Sequence, residues 1–356
     1  MLRRAERSTP RPPPRDEAET SRTSAADAAT LRCLDCGAAV RPGEVTWRCS
    51  GCARVYPAVL GIPDFRDRAE AQTTPEVERL AEAFAGSSLA DLVAMRTPNF
   101  TTTDPALREH YAGYRTRMAE RGQGFYRMVR GRVEEFYDLG GTDLAVAIGC
   151  GAGSSMLAMA RDFGHTIGVD PSLPDLILAR KAVQEAGLDK RVTLIQGYAQ
   201  AMPLAAGTVD FVIAEDVLEH VIDLDGTLRE IGRMLRRGGL FAGNSVNRYN
   251  MLRPEPHVKL WFLGFLPRAW QPAYVRWRRG FVGYGEDARL PSYRELRAAL
   301  RNGLGPDSRI VFPGVETFGF PAALDRVLRA VEKLGPATAV ALWVFPSHLV
   351  LGRASR

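Results

Sequence analysis

The 356-residue sequence predicts an α/β protein whose core is a mostly parallel sheet flanked by helices. Three observations carry this expectation. From residue 144 onward, short apolar runs alternate with amphipathic stretches, the pattern of strands joined by crossover helices. The first run passes into AVAIGCGAGSS (145–155), whose closely spaced glycines suit a tight bend beside a bound nucleotide. The second run ends at Asp170, where a carboxylate can accept hydrogen bonds from ribose hydroxyls.

Composition agrees with a large core. Hydrophobic residues make up 46% and charged residues 25% of the chain, and the formal charge is +6. That charge permits an anionic partner without demanding one. The basic residues are nearly all arginine, with only Lys181, Lys190, Lys259 and Lys333 as lysines. No window reaches the roughly 18 to 20 apolar residues that span a bilayer. The nearest, at 337–351, is interrupted by Pro346, Ser347 and His348 and reads as core. The N-terminal arginines precede no apolar run, and Glu6, Asp16, Glu17, Glu19 and Asp27 argue against a mitochondrial presequence. The expected compartment is the cytoplasm.

In chain order, residues 1–29 are rich in Arg, Pro, Ser, Thr and Ala without periodicity and read as a disordered tail. A cysteine module follows, at 30–68. Residues 69–138 read as a helical segment with scattered aromatics, among them Tyr111, Tyr114, Phe125 and Phe136. The core, 139–356, then supplies strands at 144–149, 166–170, 192–197, 209–215 and 240–245. Between the second and third, LPDLILARKAVQEAG (173–187) reads as a helix with Leu176, Ala179 and Val183 on one face. Pro174 suits its first turn and Gly187 its C-terminal cap. Residues 246–290 interrupt the alternation as a cap insertion, after which a helix (292–300) and a strand (308–313) restore it.

The cysteine module reads C-x2-C, twelve residues, C-x2-C: Cys33, Cys36, Cys49 and Cys52. Each pair can sit on a tight turn that aims two thiolates at one point, giving a tetrahedral four-sulfur zinc site. With all four positions filled by sulfur, such a zinc would be structural. The module's tail, RVYPAVLGIPDFR (54–66), resembles the zinc-binding domain of methyltransferase activator proteins. The resemblance implies a supporting appendage or a platform for a partner or RNA.

The text VDFVIAEDVLEHVIDLDGTLREIGRMLRRGGLF (209–241) resembles the fourth-to-fifth-strand region of class I S-adenosylmethionine (SAM) methyltransferases. Over 140–245 the resemblance implies a Rossmann-like, seven-stranded sheet with SAM at the strands' carboxyl ends. It places the Gly149, Gly151 and Gly153 loop at the methionine end, Asp170 at the ribose, and Gly197, Tyr198 and Ala199 near the adenine. Two positions depart from the family. Ala147 stands where an acidic residue usually helps fix the SAM amino group, and Tyr198 where an aspartate often meets the adenine amine. Losing one charge-assisted hydrogen bond costs about 1.5–3 kcal/mol, roughly ten- to a hundredfold in affinity or somewhat more.

Methyl transfer from a sulfonium is an in-line displacement, so the protein positions the nucleophile and, where needed, removes its proton. Glu215, Asp216, Glu219 and His220 follow the fourth strand; Asn244, Asn247 and Arg248 follow the fifth; His257 lies in the cap. His220 and His257 are the expected catalytic candidates, and Glu215 joins the cofactor contacts. Asp216, Glu219 and His220 are also similar to the E-x-x-E-H metal site of some RNA and quinone methyltransferases. In the cap (247–280), Trp261, Phe262, Phe265, Trp270, Tyr274 and Trp277 interleave with basic residues, so its aromatics are expected to wall an acceptor pocket. The expected acceptor is a small organic molecule, anionic or lipid-like. The rivals are RNA base methylation, disfavoured by the absence of an N-P-P-Y/F motif after the fourth strand, and a non-catalytic binding protein.

Overall fold

The computed structural model describes residues 31–43, 45–66, 74–96, 102–107, 109, 118–137, 143–282, 284–285, 289–314 and 321–355. The expected tail at 1–29, with Tyr111 and Tyr114, lies outside them.

Seven strands form the central sheet: β5 (Leu144–Ile148), β6 (His165–Asp170), β7 (Val192–Gln196), β8 (Val209–Ala214), β9 (Leu235–Val246), β10 (Arg309–Val311) and β11 (Ser347–Arg353). Their order is β10-β11-β9-β8-β5-β6-β7, and only β11 runs against its neighbours. The expected mostly parallel, seven-stranded Rossmann-like sheet is therefore what the chain forms. Every residue of β5 is buried, as a strand covered on both faces requires.

Strand alternation assigns those two faces. Ala145, Ala147, Phe211 and Ile213 point to a cluster with α3 (Met118–Glu134), α4 (Ser154–Met159) and α5 (Leu173–Glu185). Leu144, Val146, Val212 and Ala214 point the other way, toward α6 (Leu224–Met234) and α8 (Tyr293–Leu304). Within α5, Leu176, Ala179 and Val183 are fully buried, as their spacing indicates. Pro174 occupies its first turn, and Gly187, just beyond the cap residue Ala186, takes a left-handed φ of +67°.

Two short helices, α1 (Pro75–Ala83) and α2 (Leu89–Met95), lie against α5. Arg96 pins them there. Its buried guanidinium donates to Glu76 and to Asp175, at 3.0 Å each.

The N-terminal module is an antiparallel sheet of β1 (Val40–Arg41), β2 (Thr46–Cys49), β3 (Val55–Val59) and β4 (Ile62–Pro63). It does not stand apart. Past β4, Asp64 forms a parallel bridge with Gln196, and Phe65 N–H donates to the Gln196 carbonyl at 2.8 Å. Arg32 N–H donates to the Pro203 carbonyl at 2.8 Å. The module thus covers the end of β7, an edge that would otherwise leave backbone groups open.

Three expectations need adjustment. The strand expected at 240–245 begins at Leu235, because it opens beside β8 before the Gly238-Gly239 turn region. The apolar 337–351 segment is core in β11 and at Leu342 and Phe345 before it, but not throughout. In α10 (Pro336–Val344), which follows α9 (Ala322–Glu332), Val340 and Trp343 face solvent at 68% and 45% exposure, since that helix has one face on the protein. The cap is short helical turns at Leu263–Phe265 and Arg268–Trp270 followed by α7 (Gln271–Arg279). Its own core is Val258, Leu260, Leu263 and Val275 with Phe281 and Tyr284. Aliphatic residues fill the inside, so Trp261, Phe262, Phe265, Trp270 and Trp277 are left outside at 50% exposure or more. Among them Phe262 borders a small cavity with Arg248, Glu255 and Leu260.

Candidate functional site

The glycine loop joins β5 to α4. Gly149, Gly151 and Gly153 all hold positive φ, at +62°, +48° and +101°, which side-chain-bearing residues adopt only with strain. At Gly149 a Cβ would also meet Val217 Cγ2 at 2.3 Å. From the other side α3 presses close: a Cβ on Gly122 would lie 2.1 Å from the Ser154 carbonyl carbon. The loop is therefore held between the segment after β8 and the first half of α3.

Asp170 sits beside the loop at the end of β6. Its carboxylate accepts from Gly151 N–H at 2.9 Å and from Ser172 N–H at 2.8 Å. Burial, with Asp175 nearby, raises its pKa to about 7. Glu215, the residue after β8, lies next to the same loop and accepts from Ser154 Oγ at 2.8 Å. Burial and the neighbouring Asp216 raise it to about 7 as well. Two carboxyl groups that bind protons too readily thus flank a glycine loop, an arrangement that favours a cationic or hydroxyl-bearing ligand.

On the adenine-side expectation, Gly197 N–H donates to the Asp170 carbonyl at 3.1 Å and Ala199 is buried. Tyr198 lines an open cavity of about 490 Å³ at the seam with the cysteine module, whose Arg54, Phe65 and Arg66 form the opposite wall.

After β8 the chain turns sharply. Asp216 holds a φ of +52°, its N–H donates to Asn244 Oδ1 at 2.7 Å, and Asn244 Nδ2 donates back to its carboxylate. Arg121 of α3 lies 3.7 Å from the same carboxylate. Glu219 is completely buried, and neither of its oxygens meets a hydrogen-bond donor among the described residues. Desolvation, with Asp216, raises it to about 8.

The fold brings the two candidate histidines together, which sequence could not show: the rings of His220 and His257 meet edge to face at 5.1 Å. His257 Nδ1 is bonded to the buried Glu255. Burial alone would lower His257, but the Glu255 carboxylate, with Glu219 and Asp216, carries it up to about 9. Glu219, His220 and His257 can each place one ligand atom within 4.8 Å of the others. Asn247 and Arg248, also candidates from sequence, are occupied otherwise. Asn247 donates to the carbonyls of Trp343 and Phe345 at 2.8 and 2.9 Å, and Arg248 to that of Gly264 at 2.9 Å. Glu255 was missed; its signal was an acid two residues before a histidine in RPEPH.

The four cysteines converge. Cys33 and Cys52 sulfurs are 3.7 Å apart, Cys36 and Cys49 sulfurs 3.4 Å, and all four lie within 4.8 Å of one another. Four thiolates about 2.3 Å from one zinc lie roughly 3.8 Å apart, so the set fits such an ion. Gly51 and Cys52 N–H groups donate to Cys49 Sγ at 3.2 and 3.3 Å, and the Tyr56 hydroxyl to Cys33 Sγ at 3.2 Å, as thiolates require.

Comparison with known proteins agrees with this geometry. Residues 146–243 match the family described as Methyltransferase domain. A ubiquinone biosynthesis O-methyltransferase from Methylocella silvestris is 32% identical over 164 residues, covering 44% of this chain and 59% of that protein. One from Azorhizobium caulinodans is 36% identical over 101 residues, 28% of this chain and 39% of that one. The chain thus spans less than two thirds of the length of these curated relatives. Among solved structures, geranyl diphosphate C-methyltransferase from Streptomyces coelicolor A3(2) superposes with a TM-score of 0.44 at 19% identity, over 80% of this chain and 99% of that one. The glycine loop, Asp170 and the carboxylates after β8 all lie within the residues that match a methyltransferase domain.

Proposed function

We propose that the chain transfers a methyl group from SAM to a small organic acceptor. The observation that carries this reading is the pair Asp170 and Glu215 on either side of the left-handed glycine loop, inside the segment that matches a methyltransferase domain. Asp170 accepts from the ribose hydroxyls. Glu215 takes the part of the acidic residue that Ala147 lacks: it directly follows β8, whose last residue Ala214 pairs with Ile148 of β5, so it reaches the loop from the end of the adjacent strand. The SAM ammonium would ionise it. Tyr198 and Ala199 border the adenine, and the four cysteines hold a structural zinc.

His257 is the proton acceptor for the nucleophile, held by Glu255 and lying against His220. Because Glu255 raises it to about 9, it is charged at neutral pH and gains basic power as the pH rises. The relatives named O-methyltransferases support an oxygen nucleophile. The test is release of S-adenosylhomocysteine from SAM over a panel of phenolic and isoprenoid-bearing acceptors. Turnover with a phenol, lost in His257→Gln, supports the reading; SAM binding without turnover on any acceptor favours the non-catalytic alternative.

One observation favours an alternative to His257 as the proton acceptor. The donorless, buried Glu219 carboxylate beside two histidines is the donor set of a divalent cation. Such an ion would polarise an acceptor oxygen there. Elemental analysis of the purified chain and of Glu219→Gln decides it: more than one metal per chain, falling to one in the variant, supports the ion.

A further inference from the structure

The cap's outward face has no role in the site. It collects the most exposed aromatics among the described residues: Trp277 at 75%, Trp270 at 66%, and Trp261, Phe262 and Phe265 at 50–52%. They are not scattered. Phe262 lies 5.9 Å from Trp261 and 6.2 Å from Phe265, ring to ring, and Phe265 lies 5.2 Å from Tyr249. Trp270, the N-cap of α7, and Tyr274 and Trp277 within it fall at helical spacing on one side, with Tyr274 and Trp277 rings 5.9 Å apart. Phe262 even holds a left-handed φ of +56°, unfavourable for a non-glycine residue, while its side chain stays half exposed. An apolar patch of this kind on a globular protein marks a contact surface.

Its charge is as uneven as its exposure. Residues 247–280 hold seven Arg and Lys against a single acid, Glu255, a balance of +6 that equals the formal charge of the whole chain. The remaining residues are neutral in sum. Arg276 and Arg278 stand exposed on α7 without an ion pair among the described residues, Arg278 lying 5.4 Å over the Trp277 ring. Beside Tyr249 come Met251 and Leu252, 47% and 50% exposed.

We infer that this face binds the surface of an anionic lipid bilayer, with the tryptophans at headgroup depth and the arginines on lipid phosphates. Single-stranded RNA also recruits arginine and aromatics, but it offers no hydrocarbon to Met251, Leu252 or Phe262. A lipid interface accounts for the aliphatic and the aromatic residues together. No helix among the described residues is long and apolar enough to cross a membrane, so the contact is peripheral. His257 lies at the root of the same cap, so a lipid-like acceptor would reach the site from the membrane side; that extension rests on the proposed methyl transfer, whereas the binding does not.

The experiment is flotation of the full-length, zinc-loaded chain with vesicles of phosphatidylcholine alone or mixed with phosphatidylglycerol, with tryptophan emission recorded. The expected result is binding to the mixed vesicles only, with a blue shift, weakened by salt. Arg276→Glu with Arg278→Glu should weaken it by at least about twentyfold, at roughly fivefold per basic residue. Trp270→Ser with Trp277→Ser should remove the blue shift. All four side chains are exposed and away from the glycine loop, so SAM affinity should be unchanged and reports that each variant is folded. Failure to float with anionic vesicles, binding indifferent to both variants, tighter binding to oligouridylate than to vesicles, or sedimentation as a dimer that shields the tryptophans would each overturn the inference.

Discussion

His257 meets Glu255 from its own loop, Glu219 from the segment after β8 and His220 edge to face, and these neighbours set its chemistry. Charged below about pH 9, it should make kcat/KM rise across the neutral range toward a plateau above pH 9, a profile that His257→Gln would flatten. The same substitution should lower kcat by about 10²–10⁴, the usual worth of a positioned base, with little change in the Kd for SAM. Glu215→Gln should do the opposite, weakening SAM about ten- to a hundredfold while sparing the acceptor step. At this scale the glycines and Asp170 were legible, because a strand that breaks into glycine and a carboxylate closing the next strand are local patterns. Glu219 and Glu255 were not legible as members of one cluster. What distinguishes them is burial among charges, and burial is decided by segments tens of residues away.

Among the elements, the join between β4 and β7 deserves the closest test. The Cys33 thiolate accepts from Tyr56, whose ring stacks on Phe65 at a centroid separation of 4.2 Å, and Phe65 is bonded to Gln196 at the end of β7. The next residues are Gly197 and Tyr198. Chelating the proposed zinc, or Cys49→Ser, should therefore lower the Tm and also weaken SAM binding, while leaving the central sheet's circular dichroism largely intact. A Tm drop with unchanged SAM affinity would make the module a passive appendage. Elsewhere, Arg96→Met should cost about 2–3 kcal/mol in chemical denaturation. It strands Glu76 and Asp175, and the loss is below that of a fully buried pair because both carboxylates keep about a fifth of their side-chain exposure. The cysteine spacing announced the module, but no periodicity in either segment foretold a bridge between Asp64 and Gln196. Such a bridge leaves almost no compositional trace.

Over the whole molecule, the site carries an excess of acid. Asp170, Glu215 and Glu219 are raised to about 7, 7 and 8 in the folded chain, and His257 to about 9. For a group whose folded value lies above its unfolded one, the stabilisation is present below the unfolded value and is lost as pH rises through the folded value. The ligand-free protein should therefore have a lower Tm at pH 9 than at pH 6, and a cationic ligand should recover part of the difference. The parallel sheet was plain from the alternation of apolar runs, whereas the outward turn of the cap's aromatics was not. An interleaved run of Trp, Phe and Arg fits an inward wall and an outward face equally well until the aliphatic residues are seen to occupy the inside. Beneath all of these lies the claim that the loop at 145–155 binds SAM. Calorimetric titration of the zinc-loaded chain with SAM and S-adenosylhomocysteine, alongside Asp170→Ala, tests it directly. The account predicts binding of both ligands by the parent and at least about tenfold weaker binding by the variant. A folded parent that binds neither, or a variant that binds as tightly as the parent, would contradict it.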